Sequence, residues 1–273
     1  MKDFVFYSYQ FAPLNDEPDL FIDIQKKNKE LMDNKNKIFD SIIEPIEFRY
    51  RNNVYEKEVD IHKEDMIVMR LANKKNVKLE KDFHVIEQED EPSCLTLIDN
   101  HEDIQRIAIE KNAHSFDNTD TIKNILLENF RIVLKDKELA FYMQKEYLPS
   151  EFWSICKKYK GKVTKVVFSY KYLNLGRAHE QLKKILGDSS TATNSSKTQI
   201  TYENKKGLVL DEKDEVVSGC VVDSSEGGEP VSMKIKGISS TVKTGQTTKQ
   251  VKIDEVDIEN ANVDQLKILF RNI

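Results

Sequence analysis

The chain has 273 residues, 39% hydrophobic and 33% charged, with a formal net charge of −5. No apolar run approaches the roughly 18 residues needed to cross a bilayer, and the first residues, MKDFVFYSYQFAPL, lack a signal-peptide apolar core and cleavage site. Cys94, Cys156 and Cys220 are odd in number and far apart, which excludes a disulfide framework and a paired-cysteine metal motif. The reading is a soluble cytoplasmic protein with no membrane partner.

In chain order, FVFYSYQF is rich in aromatic and β-favouring residues and predicts a strand. Pro18, flanked by Asp16, Glu17 and Asp19, signals a helix start, and Leu20, Ile24, Leu31, Ile38 and Ile42 continue it at helical spacing to Pro45. IEFRY and VYEKEVDI alternate around Asn52-Asn53 and predict a hairpin turning there, since Asn tolerates positive φ. MIVMRL predicts a strand. From Asp82 to Asp103 there are eight acids and no Lys or Arg, and this run is taken as the connection between two parts, residues 1–92 and 93–273.

CLTLID and IQRIAIE predict paired strands. Asp117 to Asp120 offer caps for a helix whose one side carries Ile122, Ile125, Leu126, Phe130, Val133 and Leu134. LAFYMQKEY predicts a strand, SEFWSICKKY a helix capped by Ser150, VTKVVFSYKYL a long strand, and RAHEQLKKIL a helix ending at Gly187. Residues 187–198, largely Ser, Thr and Asn, have little to bury and predict a mobile loop. PVSMKIKGI and KQVKIDEV predict strands, and Val263, Leu266, Leu269 and Phe270 a final helix. The order predicts an α+β fold: mixed β-sheets with helices packed on one or both faces, in two closely associated parts.

Of 42 basic residues 35 are Lys, so only clustering carries weight. Residues 157–184 hold nine Lys or Arg against the single acid Glu180. Alternation along the strand puts Val163, Lys165, Val167, Ser169 and Lys171 on a solvent face, and Thr164, Val166, Phe168, Tyr170 and Tyr172 in the core. Lys160, Lys162, Lys165, Lys171 and Arg177 are therefore candidate contacts to a nucleic-acid backbone, RNA or DNA, because lysine point charges release counterions from phosphates. The alternative is a solvated face whose lysines guard a strand edge. A second basic run, MKIKGISSTVKTGQTTKQVKI, adds Lys234, Lys236 and Lys243, and its amides and hydroxyls are candidate phosphate donors.

No cofactor or metal is called for. The five histidines lack metal spacing, and neither Asp211-x-Lys213 nor Glu110-Lys111 forms a nuclease motif. Three readings stand: a non-enzymatic nucleic-acid-binding subunit, a protein-interaction component whose basic face docks an acidic partner or a second copy, and a nuclease or hydrolase with a dispersed site. The lines IQRIAIEKNAHSF, PSEFWSICKKYKGKVTKVVFSYKYLNL and SSEGGEPVSMKIKG resemble uncharacterised bacterial proteins encoded near mobile elements and anti-phage defence loci. The resemblance covers roughly the last two thirds of the chain and implies a role in defence or counter-defence, with no site residues to carry over.

Overall fold

A computed structural model describes residues 1–14, 24–170, 197–253, 258 and 262–271. Its first element is the strand β1, Lys2–Pro13, whose aromatic run is buried on both faces. β1 lies within an eight-stranded sheet built from β2 (Phe48–Tyr50), β3 (Asn53–Lys63), β4 (Met66–Ala72), β7 (Ser93–Asp99), β8 (Arg106–Glu110), β9 (Leu139–Lys145) and β14 (Gln250–Ile253). Along one edge β1 meets β8. Along the other it pairs with β14 through Lys2–Val5 and with β9 through Tyr7–Pro13. Every strand pair among the described residues is antiparallel, so the mixed character expected of the sheets is not found there.

Helices α1 (Ile24–Ile43) and α2 (Thr119–Lys135) cover one face of this sheet. α1 contributes Phe39, Ile42 and Ile43, and the Phe39 ring stacks on Phe141 with centroids 5.7 Å apart. α2 begins where Asn118 accepts the Thr121 N–H, and it buries Ile122, Ile125, Leu126, Phe130 and Leu134 at helical spacing. On the opposite face Phe4, Phe6, Leu95 and Leu97 pack against Leu266 and Phe270 of the last helix, α5 (Val263–Arg271). The fold is α+β, with helices on both faces of the large sheet. Among the described residues no helix is long and apolar enough to cross a membrane.

Between β9 and β14 the chain builds a second layer. A four-stranded sheet runs β11 (Thr198–Glu203), β10 (Val163–Tyr170), β12 (Ser232–Ile235), β13 (Val242–Lys243). Its apolar face packs with α3 (Pro149–Lys158) and α4 (Glu215–Glu226) around Phe152, Trp153, Phe168, Val221 and Met233. The division expected between residues 92 and 93 falls inside the large sheet, since β4 pairs with β7 from Met66↔Asp99 to Ala72↔Ser93. The topology instead sets off an insertion that leaves after β9 and returns at β14.

Three local expectations change. The first hairpin turns on Arg51 and Asn52, at φ 53° and 93°, and Asn53 opens β3. Pro149 occupies the first turn of α3 after Leu148, so Ser150 is not its cap. The acidic run from Asp82 is partly a strand: β5 (Lys75–Lys81) and β6 (His84–Asp90) form a two-stranded ribbon. Charged, amide-rich strands of this kind carry little β propensity, which is why pattern alone passes over them.

At residue 6 the edge of β1 changes partner. Glu146 donates its N–H to Phe6 O, and Phe6 donates its own to Lys249 O. There the buried Glu146 carboxylate receives Arg106 Nε at 2.9 Å and Nη2 at 3.0 Å, while Arg106 Nη1 donates to Phe270 O at 3.1 Å. Lys249 and Glu226 complete the cluster at 3.1 Å from one another. Glu146→Gln leaves the Arg106 charge buried with a weakened partner and should cost about 3–5 kcal/mol in urea unfolding, whereas replacing both residues by Met should recover much of the loss.

His62 on β3 clasps α1, with Nε2 at 2.7 Å from Asp40 and Nδ1 at 3.1 Å from Glu44. Burial opposes its charge, but the bonds to Asp40 and Glu44 outweigh that and raise its pKa. A raised folded-state value means that the clasp stabilises fully below the ordinary histidine pKa of about 6.5 and fades as pH climbs through the raised one. The melting-temperature gap between wild type and His62→Asn should therefore be widest near pH 6 and shrink by pH 9.

Candidate nucleic-acid interface

The outer face of the four-stranded sheet collects the lysines. Strand β10 does not alternate cleanly, because its register against β12 shifts between Val163 and Lys165. The irregularity turns Val163 into the core with Val166, Phe168 and Tyr170, a correction to the expected facing of Val163 with Lys165. Lys165 lies directly between Glu203 of β11 and Lys234 of β12, and Lys243 of β13 lies opposite Ser232. Lys234 and Lys243 are exposed. Lys165 is half-buried and bonds Glu203 at 3.0 Å, so it is already neutralised.

The densest positive charge sits at one end of this sheet, where three glycine turns converge. Gly161, Gly207 and Gly237 have φ of 72°, 113° and 88°, the left-handed region that glycine enters without penalty. The first turn is flanked by Lys160 and Lys162, the second is preceded by Lys205 and Lys206, and the third by Lys236, all exposed. Lys236 N–H donates to Lys162 O at 2.8 Å, Asn204 N–H to Thr164 O at 2.9 Å and Leu208 N–H to Val163 O at 2.7 Å. A Cβ on Gly207 would lie 2.4 Å from Gly161 O, so glycine is what allows the first two turns to touch. None of Lys160, Lys162, Lys205, Lys206 and Lys236 has an ion-pair partner among the described residues.

Lys205 and Lys206 were not singled out from sequence. They lie outside both basic runs, and only the β10–β11 pairing brings them beside Lys160 and Lys162. The signal that was available is the repeated Lys-Gly pairing at 160–161, 206–207 and 236–237. Lys171 and Arg177 lie outside the described residues, as do residues 187–196 of the expected loop. Its last two residues are placed: Lys197 bonds Glu229 at 3.0 Å, and Thr198 opens β11 opposite Tyr170.

The loop at 245–247 changes the reading of the second basic run. The N–H groups of Gly245, Gln246 and Thr247 all donate to the Glu151 carboxylate, at 3.0, 3.1 and 3.0 Å. These amides form an anion cradle, but Glu151 of α3 fills it. They fix the loop to the helix and are not available to phosphate.

Other chemistry finds little support in these side chains. Among the described residues no three His, Cys, Asp or Glu side chains converge as metal ligands. Glu110 is buried, accepts the Leu95 N–H and pairs with Lys2, while Asp211 caps its own turn at Lys213 N. Burial pushes the Cys156 thiol up to about 12, and it raises Cys94 and Cys220 as well, the opposite of nucleophile activation. Comparison with protein-family models and with curated proteins returns no match.

Gly207→Ala tests how the turns are built. It combines a disfavoured φ with a backbone clash and should cost about 2 kcal/mol or more in urea unfolding, whereas Gly161→Ala, with nothing within 4 Å of its Cβ, should cost less.

Proposed function

We propose that the protein is a non-enzymatic nucleic-acid-binding subunit that grips the phosphate backbone with the lysines of the converging turns. The observation that carries this reading is the meeting of Lys160, Lys162, Lys205, Lys206 and Lys236 at one sheet end, without ion-pair partners among the described residues. A chain with net charge −5 that gathers such a patch resists general adsorption to polyanions and binds them in one place. Lys234 and Lys243 continue the patch along the open face, and Lys165, held by Glu203, contributes least. Lysines give charge without a planar fork, so the binding is weakly selective for sequence. Cytoplasmic location, read from the unpaired cysteines and the missing signal-peptide pattern, and a setting in bacterial anti-phage defence or mobile-element biology, implied by the sequence resemblance, belong to the same proposal.

Titrating labelled duplex and single-stranded probes at several salt concentrations tests it. About five phosphate contacts on duplex DNA give a log–log salt slope of about −4 to −5. Lys162→Glu with Lys206→Glu should abolish binding at moderate salt while moving stability by less than about 1 kcal/mol, as exposed positions usually do. Binding unchanged in that variant, or a flat salt response, would defeat the reading. A chain that ignores nucleic acid and captures an acidic protein through the same lysines would favour the interaction component instead.

A further inference from the structure

The exposed lysines spread across the four-stranded sheet as well as along it. Lys205 and Lys206 follow β11, Lys160 and Lys162 flank the turn before β10, Lys236 follows β12, and Lys243 closes β13. In the order β11, β10, β12, β13 these positions cover three strand intervals, roughly 14 Å at ~4.8 Å each. Between them the outer face carries Val167, Thr201, Glu203 and Ser232. The rings of this layer are turned the other way. Phe152, Trp153, Phe168 and Tyr170 are buried in its core, and Tyr159 and Tyr202 pack against that core. Phe168 meets Tyr202 with centroids 6.2 Å apart, and Lys158 Nζ lies 5.3 Å over the Tyr159 ring. Among the described residues the outer face thus offers lysine charge and no ring on which an unpaired base could stack.

We propose that the lysine patch takes the phosphate backbone of a double helix in preference to that of a single strand, which rests on the reading of the patch as a nucleic-acid site. Width is the first reason. The minor groove of a duplex is ~6 Å wide, so a patch of roughly 14 Å reaches phosphates of both strands across it. One strand drawn over the same patch follows a single path and leaves the lysines to either side of it unused. Charge density acts in the same direction. A duplex carries one charge per ~1.7 Å of axis, against ~3.4 Å for each strand alone, and releases more counterions per phosphate contacted, ~0.9 against ~0.7. Proteins that hold single strands recover that difference by stacking bases on aromatic side chains. Here the rings of the layer are occupied in its core. DNA and RNA duplexes share the chemistry that the lysines meet.

Titrating the full chain against a duplex and against a single strand of the same length, chosen not to pair with itself, tests the preference at several salt concentrations. The duplex should bind about tenfold or more tighter at moderate salt and show the steeper log–log slope. Lys206→Gln and Lys243→Gln, on opposite sides of the patch, should each make the duplex slope shallower by about 0.9. Parallel titrations with DNA and RNA duplexes show which helix is held, and preference for either over its own single strand supports the proposal. A single strand bound as tightly as the duplex, or a duplex slope that either replacement leaves unchanged, overturns the preference while the patch stands as a nucleic-acid site. A protein that binds neither probe even at low salt defeats the site itself, and the preference with it.

Discussion

The buried pair of Arg106 and Glu146 is the joint on which the two layers depend. It sits where β1 passes from β14 to β9, the gap through which the insertion leaves and returns. A backbone that changes partner there needs something rigid to hold both strand ends in register. The guanidinium supplies it with a two-pronged grip on Glu146 and a third bond to the last helix at Phe270 O. The Phe6 ring lies 5.3 Å from the guanidinium carbon, so the charge is also held against an aromatic face. Burial makes the pair costly to break from one side, and it ties β1, β8, α5 and the return strand into one decision about folding.

The insertion inherits its placement from that joint and its shape from small residues. A Cβ on Gly228 would lie 2.7 Å from Ser224 Cα and 3.3 Å from the Tyr170 ring, which lets the chain leave α4 close against β10. Glu151 then pins the 245–247 loop to α3, fixing the route back to β14. With both exits fixed, the four-stranded sheet keeps its apolar face on α3 and α4, and its charged residues take the other face. The lysine patch is a consequence of sheet packing: each lysine is positioned by the turn or strand that carries it.

Much of the fold was legible because its strands and helices bury one face each. The strands at 2–13, 66–72, 93–99, 106–110 and 139–145 and the helix at 119–135 are strongly periodic or apolar, and pattern found them. Several elements escaped, among them the short β11. β5 and β6 bury little, and α4, with a glycine inside and a run of Val and Ser, has a weak apolar stripe. The site was half legible. Lys160, Lys162, Lys234, Lys236 and Lys243 stood out as local runs, while Lys205 and Lys206 did not, because charge density along a chain cannot see a pairing between β10 and β11.

Composition and period-two or helical spacing determined by themselves that this chain is α+β, that its surface is heavily charged and that its basic residues cluster at 157–184 and again at 234–252. Those properties are set by local chemistry, residue by residue. Tertiary structure alone decided where the layers divide, because β4 meets β7 across the acidic run and β9 and β14 share one edge of β1. It alone decided which lysines stand together, since three left-handed glycine turns distant in sequence touch only after the strands between them have paired.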